Sequence, residues 1–169
     1  MARIVMQSKA FPEGVFAVNQ AASRTEPTSR RGAILVVEDR DDVRQGLAQL
    51  LELHGFLVAD ARDGKEALDQ LRSDPDGIAL ILLDLMLPGS ISGRDVRMRQ
   101  LEDAALSAIP TIVVSASEMN QQERMSLKPD AWLDKPYRFD DLLELVKRYV
   151  VSEGGVHHAV ATDTHSIPR

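Results

Sequence analysis

Five polar side chains follow the apolar runs of this sequence, at the points where those runs give way to loop residues. Glu38 and Asp39 follow AILVV, Asp84 follows IALILL, Ser115 ends TIVVS, and Lys135 follows AWLD. A charged group buried inside such a run without a partner would be very costly. We therefore expect each of these side chains to lie where a buried strand reaches the surface.

Three of the five are carboxylates, and carboxylates packed together repel one another. A divalent cation relieves that repulsion, and carboxylate oxygens with backbone carbonyls and water are the ligands that suit Mg²⁺. The ammonium group of Lys135 adds a second positive charge, so the set could hold a phosphoryl group between metal and lysine. A carboxylate can itself attack phosphorus, giving an aspartyl phosphate that both cations stabilise. Ser115 would offer a hydroxyl donor to a phosphoryl oxygen.

The elements that must position these residues alternate between strand and helix patterns five times. This alternation predicts a parallel sheet with helices on both faces, and continuous apolar runs fit strands buried on both sides. We predict an α/β fold over residues 32–151: a doubly wound, five-stranded parallel sheet, flavodoxin-like in order. The carboxyl ends of such strands share one edge, where the polar side chains should converge. Strand patterns occupy 33–37, 56–61, 78–84, 110–117 and a run ending in 131–136, and helix patterns occupy 41–55, 63–74, 93–104, 118–126 and 139–150.

The composition is typical of an ordinary globular domain, and a segment without a clear helix or strand pattern flanks it on each side. The chain has 169 residues, a net charge of −6 and no cysteine, which excludes disulfides and thiolate metal sites. Residues 1–31 are net +3 and the remainder is −9, a balance that argues against nucleic-acid binding by the main body. No apolar run has membrane-spanning length, and no signal peptide is visible. We expect a cytoplasmic protein with flexible segments at 1–31 and 152–169.

Four blocks, ILVVEDRDDVR, LILLDLMLPG, VVSAS and WLDKP, resemble the signature of the response regulator receiver domain of two-component signalling. The resemblance covers roughly 120 residues with the blocks in the family's order. It implies that Asp84 is the phospho-acceptor, that Lys135 contacts the phosphoryl group, and that Ser115 and Trp132 form a switch. It also implies a Mg²⁺ site formed by Asp39, Asp84 and the backbone carbonyl of Met86, with Glu38 nearby or acting through water.

The resemblance also implies partners. A sensor histidine kinase or phosphotransfer protein would donate the phosphoryl group, and a downstream protein would read the result, with neither nucleic acid nor membrane insertion involved. We expect a stand-alone response regulator that catalyses only its own phosphorylation and dephosphorylation. A homodimer could form through the last strand and the last helix. The exposed side of that helix carries both charge signs: Asp140, Asp141, Glu144, Lys147 and Arg148.

Three alternatives fit the sequence less well. An aspartyl-nucleophile phosphatase of the haloacid dehalogenase type needs a second aspartate two residues after the first, and that position is Met86. A nucleotide- or flavin-binding domain needs a glycine-rich loop after the first strand, whereas this chain has EDRDD, which would repel phosphate. A receiver-like scaffold without phosphorylation stays possible, although the complete polar set speaks against it.

Some local features depart from the family's usual pattern. The loop PGSISG is longer than usual, serine stands for threonine at position 115, tryptophan stands for tyrosine or phenylalanine at position 132, and the fourth helix should be short. We expect the indole of Trp132 to be partly exposed in the inactive state. Arg94, Arg97 and Arg99 should line an exposed helix face. His157 and His158 should be solvated rather than metal ligands.

Overall fold

A computed structural model describes residues 15–16, 31–116 and 119–150. Strands and helices alternate through the main body, as the apolar patterns predict. The predicted fourth helix is indeed short, at six residues. The elements are β1 (Val15–Phe16), β2 (Ala33–Val37), α1 (Asp41–Leu53), β3 (Val58–Ala61), α2 (Gly64–Ser73), β4 (Ile78–Leu83), α3 (Gly93–Glu102), β5 (Thr111–Ser115), α4 (Gln121–Ser126), β6 (Ala131–Asp134) and α5 (Phe139–Tyr149).

The sheet has the order β1-β6-β5-β4-β2-β3. Strands β2 to β6 are parallel, which confirms the predicted five-stranded, doubly wound, flavodoxin-like fold. One addition was not predicted: Val15 and Phe16 pair antiparallel with Leu133 and Trp132 and extend the sheet beyond β6. The expected flexibility of residues 1–31 stays a prediction. Our other expectations for the two ends, including His157 and His158, lie outside the described residues.

Two apolar layers cover the sheet because its strands alternate their side chains between faces. Ile34 and Val36 of β2 pack with α1 and α5, whereas Leu35 and Val37 pack with α2 and α3. All six residues of β4 are buried, as expected for a central strand covered on both faces. Among the residues that the structure describes, no helix is both long and apolar enough to cross a bilayer.

Three helices have an N-cap residue whose side chain accepts a backbone N–H of the first turn. Asp63 accepts the amide of Glu66 at the start of α2. Ser92 begins α3 with a reciprocal capping box, and Asn120 does the same for α4. Such caps satisfy amides that have no partner within the helix. They set where the helices start after the loops that follow β3, β4 and β5.

The expected exposed arginine face on α3 is wrong at one position, because Arg97 is 2% exposed. Its guanidinium donates to the carbonyl oxygens of Leu127 and Lys128 after α4, and to the side chains of Gln100 and Thr111. A buried guanidinium is tolerated when its donors are satisfied in this way. Arg97 therefore joins α3, β5 and the end of α4 instead of facing solvent.

Candidate functional site

The carboxyl ends of β2 and β4 place two acidic residues side by side. The amide of Asp84 donates to Val37 O at 3.0 Å, and the amide of Glu38 donates to Ala61 O at 3.1 Å. The sheet's hydrogen bonding thus continues one residue past the ends of the strands. Glu38 is 5% exposed and Asp84 is 7% exposed, so both carboxylates lie just beneath the surface.

Asp39 completes a cluster of three carboxylates. One oxygen from each of Glu38, Asp39 and Asp84 lies within 4.8 Å of the others. Asp39 is exposed, so the cluster opens to solvent on its side. An all-oxygen, anionic donor set of this size fits a hard divalent cation such as Mg²⁺. The structure therefore brings together the three acidic residues that the sequence suggests as metal ligands.

Lys135 contacts two of the three carboxylates of this cluster. Its Nζ lies 2.6 Å from Glu38 Oε2 and 2.6 Å from Asp84 Oδ2. Burial opposes the charge on the lysine, but its hydrogen bonds to Asp84 and Glu38 outweigh that effect and raise its pKa above the ordinary value. The ammonium group therefore stays charged at neutral pH and links the ends of β2, β4 and β6.

The two oxygens of Asp84 have different partners. Oδ2 accepts from Lys135, whereas Oδ1 accepts from the backbone N–H of Met86 at 2.8 Å. The Met86 side chain is 66% exposed, so the contribution of this residue to the site is through its backbone. The Asp84 carboxylate is thereby held in one orientation by an ammonium and an amide.

Gly93 packs against the backbone of Asp84, and the sequence reasoning did not identify it. A Cβ placed on Gly93 would lie 2.0 Å from Asp84 O and 2.6 Å from the Cα of Leu85. The Gly93 amide also donates to Leu85 O at 3.2 Å. The only sequence signal was a glycine directly after the helix cap Ser92. The close approach of α3 to the Asp84 backbone therefore requires a residue without a side chain.

We predict that Gly93→Ala lowers the free energy of unfolding by about 2–3 kcal/mol, because the new methyl group meets backbone that cannot move aside without shifting Asp84. Urea denaturation measures the change. Gly46→Ala is the matched control, since a Cβ at this position in α1 has no atom within 4 Å. The control should stabilise the protein by up to about 1 kcal/mol through helix propensity. Equal stability of Gly93→Ala and the wild type would contradict the packing argument.

Ser115 lies at the end of β5 and is fully buried. Its carbonyl oxygen accepts the amide of Lys135 at 3.1 Å, which ties the two strand ends together. Ser115 is thus positioned next to the strand that carries Lys135, at the same edge of the sheet as the acidic cluster. Its proposed hydroxyl contact with a phosphoryl group stays a prediction.

Trp132 differs from our expectation, because the indole is fully buried and not partly exposed. Its Nε1–H donates to Asp134 Oδ1 at 2.8 Å, and the guanidinium carbon of Arg124 lies 4.5 Å from the ring centroid. Arg124 also donates to both oxygens of Asp134, at 3.1 and 2.7 Å. Arg124 of α4 covers the ring, and this contact between separate elements has no sequence signal.

A family model matches the part of the sequence that forms this site. Residues 34–147, which are more than half of the chain, match the model of the response regulator receiver domain. The chain belongs to the response regulator receiver domain family. It is therefore a receiver domain of two-component signalling, and its parallel sheet with an acidic cluster at the strand ends is the structural counterpart of the motif resemblance.

Similar proteins agree with this assignment. The sensory transduction protein RegX3 of Mycobacterium tuberculosis is 38% identical over 125 residues, which are 73% of this chain and 52% of RegX3. The transcriptional regulatory protein CpxR of Escherichia coli is 32% identical over 68% of this chain and 47% of CpxR. The chain thus spans about half the length of these relatives. A solved structure is also similar: the crystal structure of the response regulator TrrA of Thermotoga maritima in complex with Mg²⁺ and BeF. Its sequence is 30% identical and its TM-score is 0.61, and the match covers 69% of this chain and 97% of TrrA.

Proposed function

We propose that this receiver domain accepts a phosphoryl group on Asp84 from a histidine kinase or a phosphotransfer protein. The observation that carries the proposal is the position of the Asp84 carboxylate. It is held between Lys135 Nζ and the Met86 amide, within a cluster that fits Mg²⁺. The domain proper is taken as residues 32–151. Since kinases make the phosphoryl donor from ATP, we place the exchange in the cytoplasm.

In the proposed reaction an oxygen of Asp84 forms a bond to phosphorus while the P–N bond of the donor phosphohistidine breaks, leaving an imidazole. Lys135 offsets the charge that Glu38 and Asp84 present to an anionic phosphoryl group, and its ammonium then binds a phosphoryl oxygen. Bound Mg²⁺ would neutralise charge on the transferring oxygens. Glu38, Asp39, Asp84 and the Met86 carbonyl would hold it. Asp39 is exposed, so it lies on the side from which a cation would enter.

The switch is proposed to be Ser115 with Trp132. A phosphoryl group on Asp84 would draw the Ser115 hydroxyl toward it through a charge-assisted hydrogen bond of about 1.5–3 kcal/mol. Trp132 pairs in register with Val113 of the strand that carries Ser115. A shift of β5 would therefore reach the indole and its contacts with Arg124 and Asp134. Since the ring is already buried, the expected change is a repacking of these contacts and not a movement inward from solvent.

The signal is proposed to pass to a downstream protein through α5 and the neighbouring part of β6. Asp140, Glu144, Lys147 and Arg148 of α5 are exposed and carry both charge signs. Exposed ion pairs contribute only about 0–1 kcal/mol each, so homodimerisation or partner binding through this face should be modest and salt-sensitive. The net −9 of residues 32–169 argues against direct contact of this domain with DNA.

The test is to incubate the full chain with acetyl phosphate, a small phosphoryl donor, in Mg²⁺ or in excess chelator. Peptide mass spectrometry should find a hydroxylamine-sensitive phosphoryl group on Asp84, formed only with Mg²⁺. Sensitivity to hydroxylamine is the property of an acyl phosphate and distinguishes it from a phosphoserine. A stable label on Ser115, or a label on a histidine, would show that the proposed chemistry is wrong.

A further inference from the structure

The segment from the end of β2 into the first turn of α1 carries more acids than a metal site needs. Glu38, Asp39, Asp41 and Asp42 occur within five residues, and they would repel one another in the absence of cations. The structure separates them into two groups. Glu38 and Asp39 belong to the carboxylate cluster with Asp84, whereas Asp41 and Asp42 each pair with an arginine.

The two arginines differ in environment. Arg40 pairs with Asp42 at 2.8 Å, and both side chains are largely exposed, so the pair contributes little. Arg44 is 7% exposed in the first half of α1. Burial opposes its charge, but its hydrogen bonds to Asp41 and Asp60 outweigh that effect and raise its pKa. Arg44 is therefore a permanently charged, buried group directly beneath this acidic segment.

Each nitrogen of the Arg44 guanidinium has its own acceptor. Nη1 donates to Glu38 O at 2.9 Å, Nη2 to Asp41 Oδ1 at 2.5 Å, and Nε to Asp60 Oδ1 at 3.0 Å. Asp60 lies on β3, and Asp41 begins α1. The planar guanidinium therefore ties β3, α1 and the loop after β2 to one another in a fixed geometry.

The bond to Glu38 O is the one that concerns the metal site. This carbonyl belongs to the peptide unit that joins Glu38 to Asp39, and a peptide unit is planar. Holding this oxygen in place orients the peptide unit, and therefore the Cα atoms from which the Glu38 and Asp39 side chains extend. Arg44 also pairs with Asp41, which is not part of the cluster. The contacts of Arg44 thus influence which carboxylates would face a bound Mg²⁺ ion and how those carboxylates are oriented.

We propose that Arg44 is a positioning residue for Mg²⁺, which orients Glu38 and Asp39 through the peptide between them and withholds Asp41 from the site. The inference rests on the proposed metal site. It predicts that loss of Arg44 weakens Mg²⁺ binding. A purely electrostatic role predicts the opposite, because removal of a buried cation near the pocket would strengthen the attraction for Mg²⁺. The sign of the change therefore separates positioning from charge.

Isothermal titration of the full chain with MgCl₂ tests the inference. Arg44→Met should weaken Mg²⁺ binding about tenfold, in line with the loss of a group that orients metal ligands. Arg44→Lys keeps the charge but cannot form three bonds in one plane, so its affinity should fall to a value between those of Arg44→Met and the wild type. Arg40→Met is the matched control, because it removes an exposed cation just before α1 and should leave binding unchanged or slightly tighter.

Circular dichroism and urea denaturation establish the folded fraction of each variant, so that affinity is compared between folded proteins. If Arg44→Met does not fold, Arg44→Lys carries the test. Folded Arg44 variants that bind Mg²⁺ as tightly as the wild type, or more tightly, would overturn the positioning role and leave the proposed function intact. A wild-type chain that binds no Mg²⁺ would overturn the proposed metal site and this inference together.

Discussion

Replacing Asp84 with asparagine should lower phosphorylation by acetyl phosphate by at least about a hundredfold, since the amide is neutral and its remaining oxygen is a poor nucleophile. The substitution keeps the shape of the side chain and an oxygen that can accept from the Met86 amide. Lys135 retains Glu38 as a partner. The fold should therefore persist, and intact-protein mass spectrometry in Mg²⁺ and acetyl phosphate measures the loss.

Asp69→Asn is the matched control for this prediction. It removes an exposed carboxylate that pairs with Lys65 on α2 and is not part of the acidic cluster. Its labelling should equal that of the wild type. Labelling of Asp84→Asn at the wild-type rate would show that another residue is the acceptor.

Replacing Lys135 with methionine should lower the free energy of unfolding by about 2–3 kcal/mol in the presence of a chelator. The lysine is paired with two buried carboxylates, and removing one member of a buried ion pair leaves its partners uncompensated. The estimate is at the lower end for such pairs because 23% of the lysine side chain is exposed. Saturating Mg²⁺ should recover part of the loss, since the cation supplies positive charge to the same carboxylates.

The pH dependence of this effect has a defined sign. Because the pKa of Lys135 is higher in the folded than in the unfolded chain, its contribution is complete below the ordinary lysine pKa of about 10.4. The contribution is lost only as the pH rises through the folded value. The difference between wild type and Lys135→Met should therefore be constant near neutrality and shrink in strongly alkaline buffer.

Urea denaturation of Lys135→Met and of Lys65→Met provides the comparison. Lys65 forms a single exposed pair with Asp69 one helical turn away, so its loss should change stability little. A Lys135→Met protein as stable as the wild type in chelator would show that solvent already screens the carboxylates. A difference that shrinks near neutral pH would place the titration on another group.

Several features of the site depend on contacts that no local pattern encodes. Arg97 lies on α3 between Val96 and Met98. It is buried because carbonyl oxygens some 30 residues away accept its donors. Trp132 is buried in the apolar core, and Arg124 of α4 packs over its ring. Gly93 matters because α3 approaches the backbone of Asp84. The same is true of Arg44, whose acceptor Asp60 belongs to a different strand.

The sequence by itself determined the alternation of strands and helices, the parallel sheet and the polar residues at its edge. These follow from apolar runs and the residues directly after them, which are local in the chain. It also determined the acidic cluster and Lys135, because parallel strands end at a common edge. Only the tertiary structure decided the antiparallel strand beyond β6, the burial of Trp132 and Arg97, and the contacts of Arg44. Those features depend on which surfaces of separate elements meet, and side-chain packing between distant residues leaves no periodic signal in the sequence.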